Sequence, residues 1–234
     1  MSRPVIWIAR RLSDATLARA ERDYDIIVNH DDIPYNSDDI IAMSGQVDGM
    51  IACHSEHFSK AIVDALDSRL KIVANYSVGT DHCDLPAFAA RGIAVTNTPD
   101  VLSDATAEIS LLLMLGAARR AVEGDRMVRT GAWDFWSPSF MVGKQVTGQR
   151  LGIVGMGRVG QAMARNARGL AMDVHYYNRN PLPDDLAEGA TYHDSLESLL
   201  PLSDFLSLHC PATPQTRGMM SAEKCAMLPD GAVF

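Results

Sequence analysis

The segment Arg150-Leu151-Gly152-Ile153-Val154-Gly155-Met156-Gly157-Arg158-Val159-Gly160-Gln161-Ala162 constrains this chain more than any other. An apolar run broken by glycines leads into a helical pattern, which reads as strand, tight turn and helix start. In a dinucleotide fold Gly155 permits the turn, Gly157 lets backbone N–H groups approach a pyrophosphate, and Gly160 lets the helix pack closely on the strand. The phosphates then sit at the helix N-terminus, where free N–H groups and the positive end of the macrodipole favour an anion. Three glycines alone are a weak signal, but Met172-Asp173-Val174-His175-Tyr176-Tyr177 supplies a second apolar strand at the distance a βαβ unit requires.

Upstream, strand patterns at 4–8, 25–28, 49–52, 70–75 and 92–96 alternate with helical patterns at 14–22, 37–43 and 59–66. Such alternation marks an α/β fold with a parallel sheet, and it makes residues 1–98 a complete unit. Between the fourth and fifth strands lies Tyr76-Ser77-Val78-Gly79-Thr80-Asp81-His82, a glycine-bearing loop where ligands of open α/β sheets bind. The same loop also reads as a plain turn in which Asp81 caps the next helix.

Thr98-Pro99-Asp100 punctuates the chain, and Ser103 can cap a helix running through the nearly all-apolar stretch 109–118. A helix apolar all round is buried, within its domain or against another subunit. Trp133 and Trp136 stand in an irregular stretch, which favours a subunit contact over packing on the chain's own core. After the second strand of the nucleotide unit comes Tyr177-Asn178-Arg179. An NAD site would place an acid there for the ribose 2′-OH, whereas a neutral residue followed by Arg suits a 2′-phosphate, so NADPH is favoured over NADH. Downstream, a short helix at 195–200, a strand at 205–209 ending in Cys210-Pro211, a helix from Ser221 and a strand start at 232–234 complete the reading.

A net charge of −8 argues against nucleic acid or an anionic membrane surface as partner. The longest uncharged run, 109–118, is too short to span a bilayer. Met1-Ser2-Arg3-Pro4 opens onto a short strand and not a signal-peptide core. Cys53, Cys83, Cys210 and Cys225 form no C-x-x-C pair, which fits reduced cysteines in the cytoplasm. His54 and His57 could pair on a helix face, but no metal site is expected.

The chain resembles the D-isomer-specific 2-hydroxyacid dehydrogenases, and within them is most similar to glyoxylate/hydroxypyruvate reductases. The resemblance covers essentially all 234 residues. It is carried by Val78-Gly79-Thr80-Asp81, Arg91-Gly92-Ile93-Ala94-Val95-Thr96-Asn97-Thr98-Pro99, Ala105-Thr106-Ala107-Glu108, the glycines from Gly155 to Gly160, and His209-Cys210-Pro211 followed by Thr213 and Thr216. It implies two Rossmann-like domains with the active site in the cleft between them. The first is a flavodoxin-like substrate domain over 1–98 that lacks its C-terminal return helix, the second an NAD(P)-binding domain over 99–234 that is incomplete at its C-terminus. A segment at about 109–149 would form a homodimer.

The resemblance implies that the amides of Val78 and Gly79 hold the substrate carboxylate. Thr106, Gly155, Gly157, Arg158, Val159, Gly160, Asn178, Arg179, Cys210, Pro211 and Thr216 would surround the cofactor. The family's catalytic Arg, Glu and His are expected beyond Phe234, so no catalytic residue is assigned within the chain, and His209 matches a strand-end position instead. The expected reaction is NAD(P)H-dependent reduction of a small 2-keto acid of the glyoxylate or hydroxypyruvate type to its D-2-hydroxy acid, with residues 1–234 alone inactive. The other reading is a non-catalytic dinucleotide-binding or dimerising relative.

Overall fold

Every strand-to-strand pairing in the computed structural model is parallel, over the described residues 2–234. The chain divides into a unit ending at Val101 and a second running Leu102–Phe234. The first contains β1 (Val5–Ile8), α1 (Asp14–Asp23), β2 (Asp25–Val28), α2 (Ser37–Ser44), β3 (Gly49–Ala52), α3 (Lys60–Ala65), β4 (Ile72–Asn75), α4 (Leu85–Ala90) and β5 (Ala94–Thr96). Its strand order, β2-β1-β3-β4-β5, is the flavodoxin-like one. Side-chain caps set the helix starts, because each satisfies an amide that the first turn leaves unpaired: Ser13 on Thr16, and Asn36 with Asp39 in a reciprocal box. Asp81 does not cap the helix that follows it. Asp84 does, accepting from the Ala87 amide at 3.0 Å. Trp7, Met50, Phe58, Val73 and Phe88 fill the core beside the sheet.

The second unit contains α5 (Ser103–Ala118), α6 (Ala121–Thr130), β6 (Arg150–Val154), α7 (Arg158–Arg168), β7 (Asp173–Tyr177), α8 (Asp184–Ala187), β8 (Thr191–His193), α9 (Leu196–Leu199), β9 (Phe205–Leu208) and α10 (Ala222–Cys225). Strand order β8-β7-β6-β9 is that of a dinucleotide fold, with the reversal between β6 and β9. The elements α6, α8 and β8 carry no clear sequence signal. Helix α6 starts after Arg120, which adopts a left-handed conformation (φ 54°) with no side-chain cap, and contains Gly124. Strand β8 is three residues long, too short for alternation to show.

One expectation for α5 changes, and one of its two alternatives for burial falls. Ser103 lies inside the helix, and Leu102 precedes it without any side-chain cap. Nor is the helix buried all round within its unit: Ala107, Met114 and Ala118 pack against the α7 side of the core, while Ile109, Leu112 and Leu113 stand 56%, 62% and 67% exposed. Trp133, Phe135 and Trp136 are exposed as well.

A fork-shaped ion pair ties the start of β6 to the start of β9. Arg150 Nε and Nη2 donate to Asp204 Oδ2 and Oδ1 at 2.8 and 3.1 Å, and the Arg150 amide donates to Oδ2 at 3.2 Å. The guanidinium holds the Asp204 carboxyl below its usual range, against a smaller opposing effect of burial. A carboxyl depressed in the folded state stabilises fully above its unfolded pKa of about 3.9, and that contribution is lost as pH falls through the folded value. Asp204→Asn is therefore expected to cost about 1–2 kcal/mol at neutral pH, discounted because Arg150 is partly exposed. The cost should shrink as pH falls below the unfolded value and through the lower folded one, as seen in urea midpoints at neutral and acid pH.

Candidate functional sites

At the end of β6 the chain turns at Gly155 with φ +94°, a conformation L side chains rarely adopt. A Cβ there would stand 2.5 Å from the Cys210 amide nitrogen, at the end of neighbouring β9. A Cβ on Gly160 would stand 2.4 Å from the Gly155 carbonyl oxygen, so close seating of α7 depends on this glycine too. Gly157 differs, because nothing lies within 4 Å of where its Cβ would be. It precedes α7 without a side-chain cap, and the first-turn amides of a helix have no intrahelical acceptors. The result is an open cradle of backbone donors at the N-terminus of an eleven-residue helix, at the strand-order reversal. Such donors fit a pyrophosphate.

Around this cradle, Asn178 Oδ1 accepts from the Met156 amide at 2.7 Å, joining the end of β7 to the glycine turn. Arg179 follows, exposed and in no ion pair among the described residues. Beyond β9, Thr216 Oγ1 donates to the Pro211 carbonyl at 2.6 Å and accepts from the Thr213 amide at 2.8 Å, closing the loop that follows Cys210. Cys210 Sγ lies 3.8 Å from Met219 Sδ. Gly155, Gly157, Arg158, Val159, Gly160, Asn178 and Cys210 thus gather at one turn, and Arg179, Pro211 and Thr216 follow directly on it. Thr106 lies on α5, exposed, its carbonyl accepting from Ser110 Oγ at 3.0 Å. His209 hydrogen-bonds Ser207 Oγ at 2.9 Å, and burial lowers its pKa, which favours a neutral ring.

In the first unit, three successive carbonyls after β4 are pinned. Ser77 O accepts from the Thr98 amide at 3.0 Å, Val78 O from Asn97 Nδ2 at 2.9 Å, and Gly79 O from Asn75 Nδ2 at 3.0 Å. In a trans peptide the N–H points opposite to the preceding carbonyl, so the amides of Val78 and Gly79 turn away from those partners. Neither finds an acceptor among the described residues. Two adjacent donors held this way suit one carboxylate. Sequence reasoning assigns no role to Asn75 or Asn97, the residues whose side chains hold this loop. Asn97 stands in one of the motifs given above, and nothing along the chain marks Asn75.

Asn75 faces a second partner. Its Oδ1 meets His82 Nε2 at 2.9 Å, and His82 Nδ1 is buried with no partner. Burial, then the neighbouring His54, lowers the His82 pKa. His54 and His57 lie in the loop after β3 and not on a helix. The acidic neighbour that linear spacing does not reveal is Asp81, whose Oδ2 is 3.9 Å from His54 Nε2.

Residues 111–234 match the family profile described as D-isomer specific 2-hydroxyacid dehydrogenase, NAD binding domain. The chain is 42% identical over 235 residues to a glycerate dehydrogenase of Hyphomicrobium methylovorum, covering 100% of this chain and 73% of the relative. It is 37% identical over 236 residues to a glyoxylate reductase of Thermococcus kodakarensis, covering 99% and 71%. A Polaromonas crystal structure described in the same family terms superposes with a TM-score of 0.91 at 41% identity, over 98% of this chain and 72% of that one. Among the described residues no helix is long and apolar enough to cross a membrane.

Proposed function

Because the chain belongs to the D-isomer specific 2-hydroxyacid dehydrogenase family, we propose that it serves the reduction of a small 2-keto acid, of the glyoxylate or hydroxypyruvate type, to its D-2-hydroxy acid. The observation that carries this reading is the pair of outward amides at Val78 and Gly79, held by Thr98 and Asn97 through the Ser77 and Val78 carbonyls. They bind the carboxylate common to these substrates. The cradle at Gly157 and the start of α7 binds the pyrophosphate of a dinucleotide, which when bound supplies the hydride. Asn178 and Arg179 favour NADP(H) over NAD(H), while Cys210, Pro211, Thr216 and Thr106 are assigned to the cofactor's surroundings. On this division the first unit binds substrate and the second cofactor. No residue of the described chain is assigned as proton donor to the keto oxygen. Four unpaired cysteines support a reducing compartment such as the cytoplasm.

The test is steady-state reduction of glyoxylate, hydroxypyruvate and pyruvate by the full-length protein with NADPH. Dinucleotide binding without turnover of any keto acid would favour a non-catalytic relative instead. Asn97→Ala frees the Val78 carbonyl and loosens the amide behind it. It is expected to raise KM for the keto acid about tenfold, the worth of roughly 1.4 kcal/mol, with cofactor affinity unchanged; an unaltered KM would remove the amide pair from the site.

We also propose a homodimer through the exposed face of α5 and the Trp133–Trp136 segment. Ile109, Leu112 and Leu113 recur at helical spacing on one face, and large exposed apolar patches mark interfaces. Leu112→Asp is expected to fold normally, since the side chain is exposed, and to sediment as a monomer where the unaltered protein sediments as a dimer.

A further inference from the structure

A histidine cluster in the first unit plays no part in the proposed reaction. We propose that His54, Asp81 and His82 bind one divalent transition-metal ion of the zinc(II) class.

The loops that follow β3 and β4 bring these residues together at the carboxyl ends of adjacent parallel strands. One ligand atom from each lies within 4.8 Å of the others. The tautomer of His82 follows from its neighbour. Asn75 Nδ2 donates to the Gly79 carbonyl, which orients the carboxamide and leaves Oδ1, an acceptor only, facing His82 Nε2 at 2.9 Å. Nε2 therefore carries the proton, and Nδ1 bears a lone pair. That lone pair belongs to a side chain only 5% exposed, with no hydrogen-bond donor to meet it. A buried acceptor without a donor is costly, and an outer ring N–H held by a carboxamide is how metal-binding histidines are oriented.

Geometry and ligand chemistry agree. Metal–ligand bonds of about 2.0–2.1 Å put tetrahedral ligand atoms about 3.4 Å apart, against 3.9 Å between His54 Nε2 and Asp81 Oδ2. The movement needed is borne by two side chains that are 67% and 62% exposed, while His82 stays fixed. Two imidazoles and one carboxylate select zinc-class ions over calcium or magnesium, which prefer all-oxygen shells. His57 lines a surface hollow together with Asp81 and His82, but its ring centroid is 6.1 Å from that of His54 and 6.4 Å from that of His82. It receives no ligand role, and water completes the fourth position.

The experiment titrates the full-length, chelator-treated protein with zinc chloride against a chromophoric chelator, with cobalt(II) chloride as spectroscopic probe. The expected result is one zinc per chain and a tetrahedral cobalt spectrum without thiolate charge transfer. Replacing His82 can unfold its loop, so the test rests on His54→Ala and Asp81→Asn, whose exposed side chains can be changed without loss of fold. Each should keep the unaltered circular dichroism and Tm, and weaken zinc by more than the ~10–100-fold cost of losing an outer-shell partner. Absence of stoichiometric zinc, or zinc affinity in both variants equal to that of the unaltered protein, overturns the proposal. So does zinc binding that alkylation of the cysteines abolishes, because the metal would then sit on thiols.

Discussion

Gly157→Ala is expected to fold with an unaltered Tm and to lose dinucleotide affinity by about two orders of magnitude, whereas Gly155→Ala should lose stability as well. The difference lies in what each added methyl meets. At Gly157 it meets nothing within 4 Å and the backbone, at φ −79°, suits any residue. The fold has no reason to object. The methyl instead occupies the space through which a pyrophosphate reaches the amides of α7, and losing two charge-assisted hydrogen bonds of about 1.5 kcal/mol each corresponds to roughly a hundredfold.

At Gly155 the methyl would stand 2.5 Å from the Cys210 nitrogen and 2.8 Å from its Cα, both backbone atoms that cannot rotate aside. The φ of +94° adds strain. Together these should cost about 3 kcal/mol or more, and push β6 from β9 at the point where the cradle forms. Thermal unfolding and calorimetric titration with NADPH separate the cases. Gly157→Ala binding as tightly as the unaltered protein would show that the phosphates do not lie on this turn.

Arg179→Ala is expected to weaken NADPH about tenfold and to leave NADH within about twofold, because only NADPH offers a 2′-phosphate to the guanidinium. The lower end of the charge-assisted range applies, since Arg179 is exposed, and the loss should diminish with added salt. The reciprocal substitution is more informative. Asn178→Asp keeps an acceptor for the Met156 amide, which Asn178 Oδ1 now serves at 2.7 Å, so the glycine turn should hold its shape. It introduces the carboxylate that accepts a ribose 2′-OH and repels a 2′-phosphate, and preference should swing toward NADH. Equal affinity of the unaltered protein for NADPH and NADH would refute the assignment of this pair.

Local sequence sufficed where the signal is local. The alternation of strand and helix patterns, and the glycine spacing from Gly155 to Gly160, are written among neighbours in the chain. Periodicity, forced turns and the need for positive φ act over a few residues. The same reasoning failed at α6 and β8, where no cap and no alternation mark the element. At α5 composition left two alternatives, burial within the unit or against another subunit, and the structure removes the first for the face that carries Ile109, Leu112 and Leu113.

What only the tertiary structure decided are meetings between strand ends. Asn97 reaches the Val78 carbonyl, Asn178 closes on Met156, and His54 comes beside Asp81. The physical reason is parallel pairing. It places the carboxyl ends of strands side by side although a whole helix separates them along the chain, so the partners of a polar group at such an end are set by strand order and register, which no short stretch of sequence encodes.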